Sequence, residues 1–165
     1  MKILPKRRRA EGKTNYLRRK RMLEGKKPRI VIRKSNRYLA LQYVESKAAQ
    51  DKIKVGVGTK DLLKHGWPKD KSGSLKSLAA CYLAGLLFGE KIKNEEETAI
   101  IDIGLIRSTK GSRIYAAVKG IVDAKANIIF NEKVFPDEKR IKTNNVKDFF
   151  DKVKDKITKE KQKND

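Results

Sequence analysis

Four stretches of this chain crowd together the side chains that bind phosphate. They are Arg7-Arg8-Arg9, Arg18-Arg19-Lys20-Arg21, the span holding Arg29, Arg33, Lys34 and Arg37, and the loop carrying Arg107, Lys110 and Arg113. Arginine presents a planar fork of donors that grips two phosphate oxygens at once and stacks on bases, which lysine does less well. Sixteen Lys and Arg lie in residues 1–37 against Glu11 and Glu24 alone, and nine of the twelve arginines are there. The chain as a whole carries +22. Charge of that size opposes the compact state by self-repulsion unless a polyanion neutralises it. Its concentration and its bias toward arginine point to nucleic acid, not to a generally basic surface.

The loop "DIGLIRSTKGSRIYAAVKG" (102–120) leaves an apolar strand, passes Gly104 and Gly111, and enters a helix that Ser112 is placed to cap. Arg107, Lys110 and Arg113 gather at that helix N-terminus, itself partly positive, where cations repel one another unless an anion sits among them. A phosphate accounts for the arrangement; on spacing alone, a solvated loop with splayed cations accounts for it equally. It is no P-loop, because Lys110-Gly111-Ser112 lacks the glycine before the lysine, and "GVG" at 56–58 is only a fragment of a dinucleotide fingerprint. One histidine, His65, and one cysteine, Cys81, cannot assemble a zinc site. Asp102 and Asp123 are too few carboxylates for a two-metal nuclease. No cofactor, metal or small-molecule substrate is expected, and no catalysis. Trp67 among Lys64, Lys69 and Lys71 is a candidate for stacking on a base or sugar, with a half-buried anchor as the alternative. Tyr16 and Tyr38 are further aromatic candidates, although Tyr38 is equally placed to be a core edge.

These residues need a scaffold. Period-two alternation predicts strands over about 28–34, 37–45 and 52–58, joined by short links into an antiparallel meander, with Ile30, Ile32, Leu39 and Leu41 facing the core. "TKDLLKHGW" reads as one or two helical turns capped by Thr59 and ended by Gly66. A helix is expected from Ser74 to about Lys91, where Gly85 and Gly89 suggest close packing against the sheet. "ETAIIDIG" has the continuous apolar pattern of a buried central strand. Ile114, Ala117, Val118, Ile121 and Val122 follow the i, i+3, i+4 spacing of an amphipathic helix. A last helix, about 145–160, puts Val146, Phe149, Phe150, Val153 and Ile157 on one face, able to dock on its own domain or on a neighbour. The order βββ-α-β-α plus a C-terminal helix predicts an α/β layer on a mixed sheet.

Three regions follow: a basic arm over 1–27, an α/β core over 28–135 and a C-terminal extension over 136–165. Residues 1–13 lack apolar periodicity and are expected to be disordered until bound, followed by a short helix from a Thr14 cap to Glu24, stopped by Gly25. Hydrophobic content of 38% supplies one core. Cys81 reads as a small core residue, and an otherwise cysteine-free chain is consistent with a reducing interior. The basic N-terminus is not followed by the apolar stretch of a signal peptide, and "LAACYLAGLLFG", 12 residues long, is too short to span a bilayer.

Taken together, "TNYLRRKRMLEGKKPRIVIRKSNRYLALQ", "LLKHGW", "AACYLAGLLFG", "DIGLIRSTKGSRIYAAVKGIVDA" and "VFPDEKRI" resemble, in that order and over about Thr14 to Ile141, the 5S-rRNA-binding protein of the large ribosomal subunit, universal family eighteen, in its archaeal form. The resemblance implies an RNA-binding structural protein and no enzyme. It implies a core of ribonuclease H-like topology without catalytic carboxylates, and a cytoplasmic location on the ribosome. The implied partners are 5S rRNA, the large-subunit rRNA and neighbouring ribosomal proteins, with anchoring at the central protuberance. The family's gripping arm maps onto Arg7, Arg8, Arg9, Lys13, Thr14, Tyr16, Arg18, Arg19, Lys20 and Arg21, continued by Lys26 and Lys27. Hairpin contacts map onto Arg29, Arg33, Lys34, Ser35, Asn36 and Arg37. Trp67, Arg107, Lys110, Ser112 and Arg113 complete the expected RNA-binding set. Where the family has an Ile-Pro-His-Ser loop this chain reads "KANIIFNE", and no contact is carried over there. A ribonuclease H-like nuclease and a generic RNA chaperone or polyanion binder are the alternatives.

Overall fold

The computed structural model of the chain describes residues 4–47, 50–142 and 146–160. Its centre is a four-stranded sheet in the order β3-β2-β1-β4, formed by β1 (Arg29–Lys34), β2 (Leu39–Lys47), β3 (Gln50–Gly58) and β4 (Ile100–Asp102). The first three strands pair antiparallel, as their short links require, and β4 returns parallel to β1. The sheet is therefore mixed, and the fold is the expected α/β class. Alternation works as physics demands on the inner face: Ile30, Ile32, Leu39 and Leu41 are fully buried. A register shift at Tyr43/Val44 lets two successive side chains of β2 both turn inward, the re-aiming that a β-bulge produces.

Several elements depart from their sequence patterns. β3 is an edge strand, and of Ile53, Val55 and Val57 only Val57 is buried, Ile53 being half exposed. The "ETAIIDIG" strand shortens to Ile100–Asp102, extended by one bridge between Ala99 and Ile128. Residues Thr59–Leu63 form a tight 3-10 turn; Thr59 does not cap it but accepts the Leu39 N–H within the core, at 3.1 Å. The helix expected from Ser74 begins later, as α3 (Leu78–Ile92), because Ser77 provides the cap by accepting the Ala80 N–H. Residues Lys69–Ser74 are a separate 3-10 segment.

Beneath the sheet, α3 packs against α4 (Arg113–Asp123). α3 is apolar nearly all round and buried accordingly. Gly85 and Gly89 serve close packing, but their partner is α4 and not the sheet: a Cβ on Gly85 would lie 2.0 Å from the Ala117 carbonyl oxygen. Gly120 on α4 answers it, with a Cβ position 2.2 Å from the Tyr82 carbonyl oxygen. Cys81 is buried in this interface, and burial pushes its thiol up to about 12. After α4 come a short turn at Glu132–Val134, the single-turn α5 (Glu138–Ile141) and α6 (Lys147–Glu160). The apolar face of α6 docks on its own chain: Phe149 meets Trp67 edge to face at 4.9 Å, and Phe150 stacks on Tyr82 at 5.8 Å. Residue 145, the expected start of this helix, lies outside the described residues.

Candidate nucleic-acid interface

The arm has more local order than its composition suggests. Arg7–Ala10 form one exposed helical turn, α1, and Tyr16–Glu24 form α2. Asn15, not Thr14, caps α2 by accepting the Arg18 N–H at 3.1 Å. Thr14 instead accepts Arg8 Nε at 2.9 Å, and Lys6 lies 4.7 Å from the centre of the Tyr16 ring. Gly25 ends the helix, and Lys26 turns the chain with a positive φ of 51°. Two contacts tie this arm to the core: Arg18 donates to the Gly104 carbonyl at 2.9 Å, and Arg19 pairs with Asp51 at 2.9 Å.

Under the arm lies an ionic cluster to which all four strands contribute. Arg29, its side chain 2% exposed, pairs with Asp51 at 2.7 Å and with Asp102 at 3.5 Å, and donates to Ser46 at 2.9 Å. Arg33 reaches the same Asp102 carboxylate at 3.1 Å and donates to the Asp102 carbonyl at 2.9 Å. The other Asp102 oxygen accepts the Gly104 N–H at 2.8 Å, fixing a turn that needs φ of +62° and so favours glycine. A buried guanidinium without carboxylates would be prohibitively costly, so this cluster is a condition of the fold. Burial pushes the Asp51 carboxyl up, but hydrogen bonds from Ser46 and Arg19 and the Arg29 charge outweigh it and hold the group below its ordinary value. A depressed carboxylate contributes stability above its unfolded pKa and loses it as pH falls through the folded one. The difference in stability between wild type and Asp51→Asn is therefore expected to be full above about pH 4 and to vanish in stronger acid. Urea melts between pH 2 and 6 would check this; a pH-independent difference would refute the linkage.

The structure sorts the expected RNA-binding residues. Arg8, Arg9, Lys13, Arg18, Lys20, Arg21, Lys26, Lys27, Lys34, Ser35, Asn36, Arg37, Arg107, Lys110 and Arg113 are exposed. Two expectations are corrected. Arg29 is a core ion-pair residue, 1% exposed and held by Asp51, Asp102 and Ser46. Trp67 is 2% exposed, packed on Phe149, with its ring N–H donated to the Lys71 carbonyl at 3.1 Å, so neither ring face is open to a base. Ser35 is occupied in the hairpin turn, where its Oγ accepts the Tyr38 N–H, and Lys76 braces the tip by donating to the Asn36 carbonyl at 2.9 Å. Tyr38 is partly buried against the core.

Two hollows open on this face. One, about 690 Å³, lies between arm and core, with Arg8, Arg18, Arg19 and Arg33 in its wall. The other, about 560 Å³, is walled by Lys34, Arg107, Arg113 and Arg140, and Ile106 belongs to both. Arg140, on α5, is the cation that reading along the chain missed. Its only sequence signal was its type, since it is one of just three arginines beyond residue 37. The carboxylates do not gather: Asp102 is spent on Arg29 and Arg33, while Asp123 accepts the Tyr82 hydroxyl at 2.7 Å. Among the described residues no group of three or more His, Cys, Asp or Glu is placed to hold a metal, and no helix is long and apolar enough to cross a membrane.

Residues 3–99 and 93–131 match the model of the family described as ribosomal large subunit proteins 60S L5 and 50S L18. A relative from Korarchaeum cryptofilum, named large ribosomal subunit protein uL18, is 40% identical over 160 residues, 96% of this chain and 80% of its own. Relatives of the same name from Methanococcoides burtonii and Aeropyrum pernix are 40% and 37% identical over 92% of this chain, covering 91% and 70% of their own lengths. An arginine-rich face on an α/β core whose carboxylates serve structure, together with these matches, leads to one conclusion: the chain belongs to the family of ribosomal large subunit proteins 60S L5 and 50S L18, a family of structural proteins and not of enzymes.

Proposed function

We propose that this chain is a constituent of the large ribosomal subunit that binds 5S rRNA and helps anchor it to the large-subunit rRNA at the central protuberance, beside neighbouring ribosomal proteins in the cytoplasm. The observation that carries the reading is the adjoining pair of arginine-walled hollows, with the arm held over the first by Arg18 and Arg19. Exposed arginines from α1, α2, the hairpin and the 107–113 loop supply phosphate neutralisation, which gives affinity and makes it salt-dependent. Preference for one RNA then comes from the shape of this face against an A-form backbone and its 2′-hydroxyls.

The test is a titration of full-length protein with 5S rRNA and with an unrelated RNA of equal length across a salt series. A clear preference for 5S rRNA is expected. In the variant Arg7→Ala/Arg8→Ala/Arg9→Ala, the slope of log K against log salt should become shallower by about 2 to 3, as three lost phosphate contacts require. Equal, steeply salt-sensitive binding of both RNAs would reduce the protein to a generic polyanion binder.

A further inference from the structure

α2 has little apolar packing to hold it in place. None of its nine residues is buried, and Leu17 is 60% exposed. A helix this short is marginal in water unless tertiary contacts support it. Its seat on the core depends on polar contacts, and the two strongest are anchored in the Arg29 cluster. One of the anchors is a carboxylate, Asp51, in the wall of the first hollow among Arg8, Arg18, Arg19 and Arg33. A negative charge on a face that binds phosphate repels the ligand, so its presence there needs a reason.

Asp51 divides its two oxygens between two tasks. Oδ1 accepts from Arg29 and from Ser46, each at 2.7 Å, which fixes the carboxylate on β3. Oδ2 accepts from Arg19 of α2 at 2.9 Å. The second contact is anchored in a similar way. Asp102 Oδ1 accepts the Gly104 N–H, and the Gly104 carbonyl accepts from Arg18 of α2 at 2.9 Å. Both acceptors are therefore held by the core through groups that do not belong to the arm. The order passes on to α1: the Arg8 carbonyl accepts the Lys13 and Thr14 N–H groups at 2.9 and 3.2 Å, and Arg8 Nε donates to Thr14. Arg9 and Arg21 remain exposed on a placed scaffold.

Arg19 differs from those exposed arginines. Its charge is already matched by Asp51, so it adds little to the counterion release that drives phosphate binding. What it gives is position. A segment ordered before binding spares the complex that ordering cost, and apparent affinity scales with the fraction of protein already competent. We propose that Arg19 and Asp51, aided by Arg18 and the Gly104 carbonyl, form a clasp that orders the arm on the core for RNA. Arg19 and Asp51 are then positioning residues and not phosphate contacts. The proposal rests on the RNA-binding reading above and adds to it the means by which the arm is made ready.

Two measurements on the full-length protein test it. In the first, 15N relaxation gives backbone order in the free protein. Order parameters of the α2 amides should be near 0.85 in wild type and fall below about 0.6 in Arg19→Gln, with those of β1 and β2 unchanged. Arg19→Lys keeps the ion pair and should keep the order. An α2 that stays rigid in Arg19→Gln would overturn the clasp.

In the second, 5S rRNA binding is followed across a salt series. Arg19→Gln should weaken binding by about fivefold or more with an unchanged slope. Arg21→Gln should make the slope shallower by about 0.7 to 0.9, as a lost phosphate contact does. Asp51→Asn adds one positive charge to the protein, so charge alone would tighten binding, whereas the clasp requires it to weaken. A slope change in Arg19→Gln equal to that in Arg21→Gln would make Arg19 an ordinary phosphate contact and overturn the proposal. Tighter binding by Asp51→Asn, or a disordered α2 with undiminished affinity, would overturn it too. If wild type shows no preference for 5S rRNA, the functional reading falls separately, and the order parameters still decide whether the clasp holds the arm.

Discussion

Gly85→Ala is expected to lower stability by about 3 kcal/mol or more, a fall in Tm of roughly 10 °C for a chain of this length. The added methyl would stand 2.0 Å from the Ala117 carbonyl oxygen and under 3 Å from the Ala117 carbonyl carbon and Cα, all backbone atoms that cannot turn aside. Relief requires α3 and α4 to separate, which opens the most extensive helix contact of the fold. Cores are packed like crystals of small molecules, so such a separation loses contacts along the whole interface and not only at one residue. Gly120→Ala should behave alike, since its methyl would meet the Tyr82 carbonyl oxygen at 2.2 Å from the other side. Gly73→Ala, with nothing within 4 Å of its Cβ position, is the control and should shift stability by no more than about 0.5 kcal/mol. Chemical denaturation of the three variants measures this. Equal effects at 73 and 85 would mean that helix propensity, not the close approach, governs the glycines.

Asp102→Ala is expected to cost about 3–5 kcal/mol, as breaking one partner from a buried ion pair does. Arg29 would keep Asp51 but lose its second carboxylate, while Arg33 and the Gly104 N–H would lose their shared acceptor. Part of the damage is transmitted to the RNA-facing side. Arg18 holds the arm to the core through the Gly104 carbonyl, and the Gly104 turn is fixed by Asp102. Asp102→Asn preserves the side chain's shape and an acceptor for Gly104 but removes the charge, so it should be less damaging than alanine. A loss under about 1 kcal/mol for Asp102→Ala would show that Arg29 is solvated in a way its burial does not allow.

Local periodicity made much of this molecule legible. Ile30 and Ile32 had to share a face because a strand repeats every two residues, and Ile114, Ala117, Val118 and Ile121 had to share one because a helix repeats every 3.6. The apolar residues of α6 announced a buried face in the same way, but whether that face met Trp67 or a neighbouring molecule was not written in their spacing. The charge imbalance of residues 1–37 was equally plain, since charge adds along a chain whatever its fold.

Tertiary structure decided which of those charges face outward. Arg29 and Arg33 stand four positions apart on the same strand face, and no periodicity separates them. Asp51 on β3 and Asp102 on β4 hold the first in the core, while the second pairs with Asp102 and stays half exposed. Trp67 has lysines on both sides in sequence, yet α6 arrives from 80 residues away to bury its ring. Arg140 stands alone among lysines and acids in the sequence, and only the docking of α5 brings it beside Lys34, Arg107 and Arg113. The residue types and their faces follow from local geometry and composition, which act over a few bonds. Burial, pairing and convergence depend on contacts between distant segments, and those exist only once the chain has closed on itself.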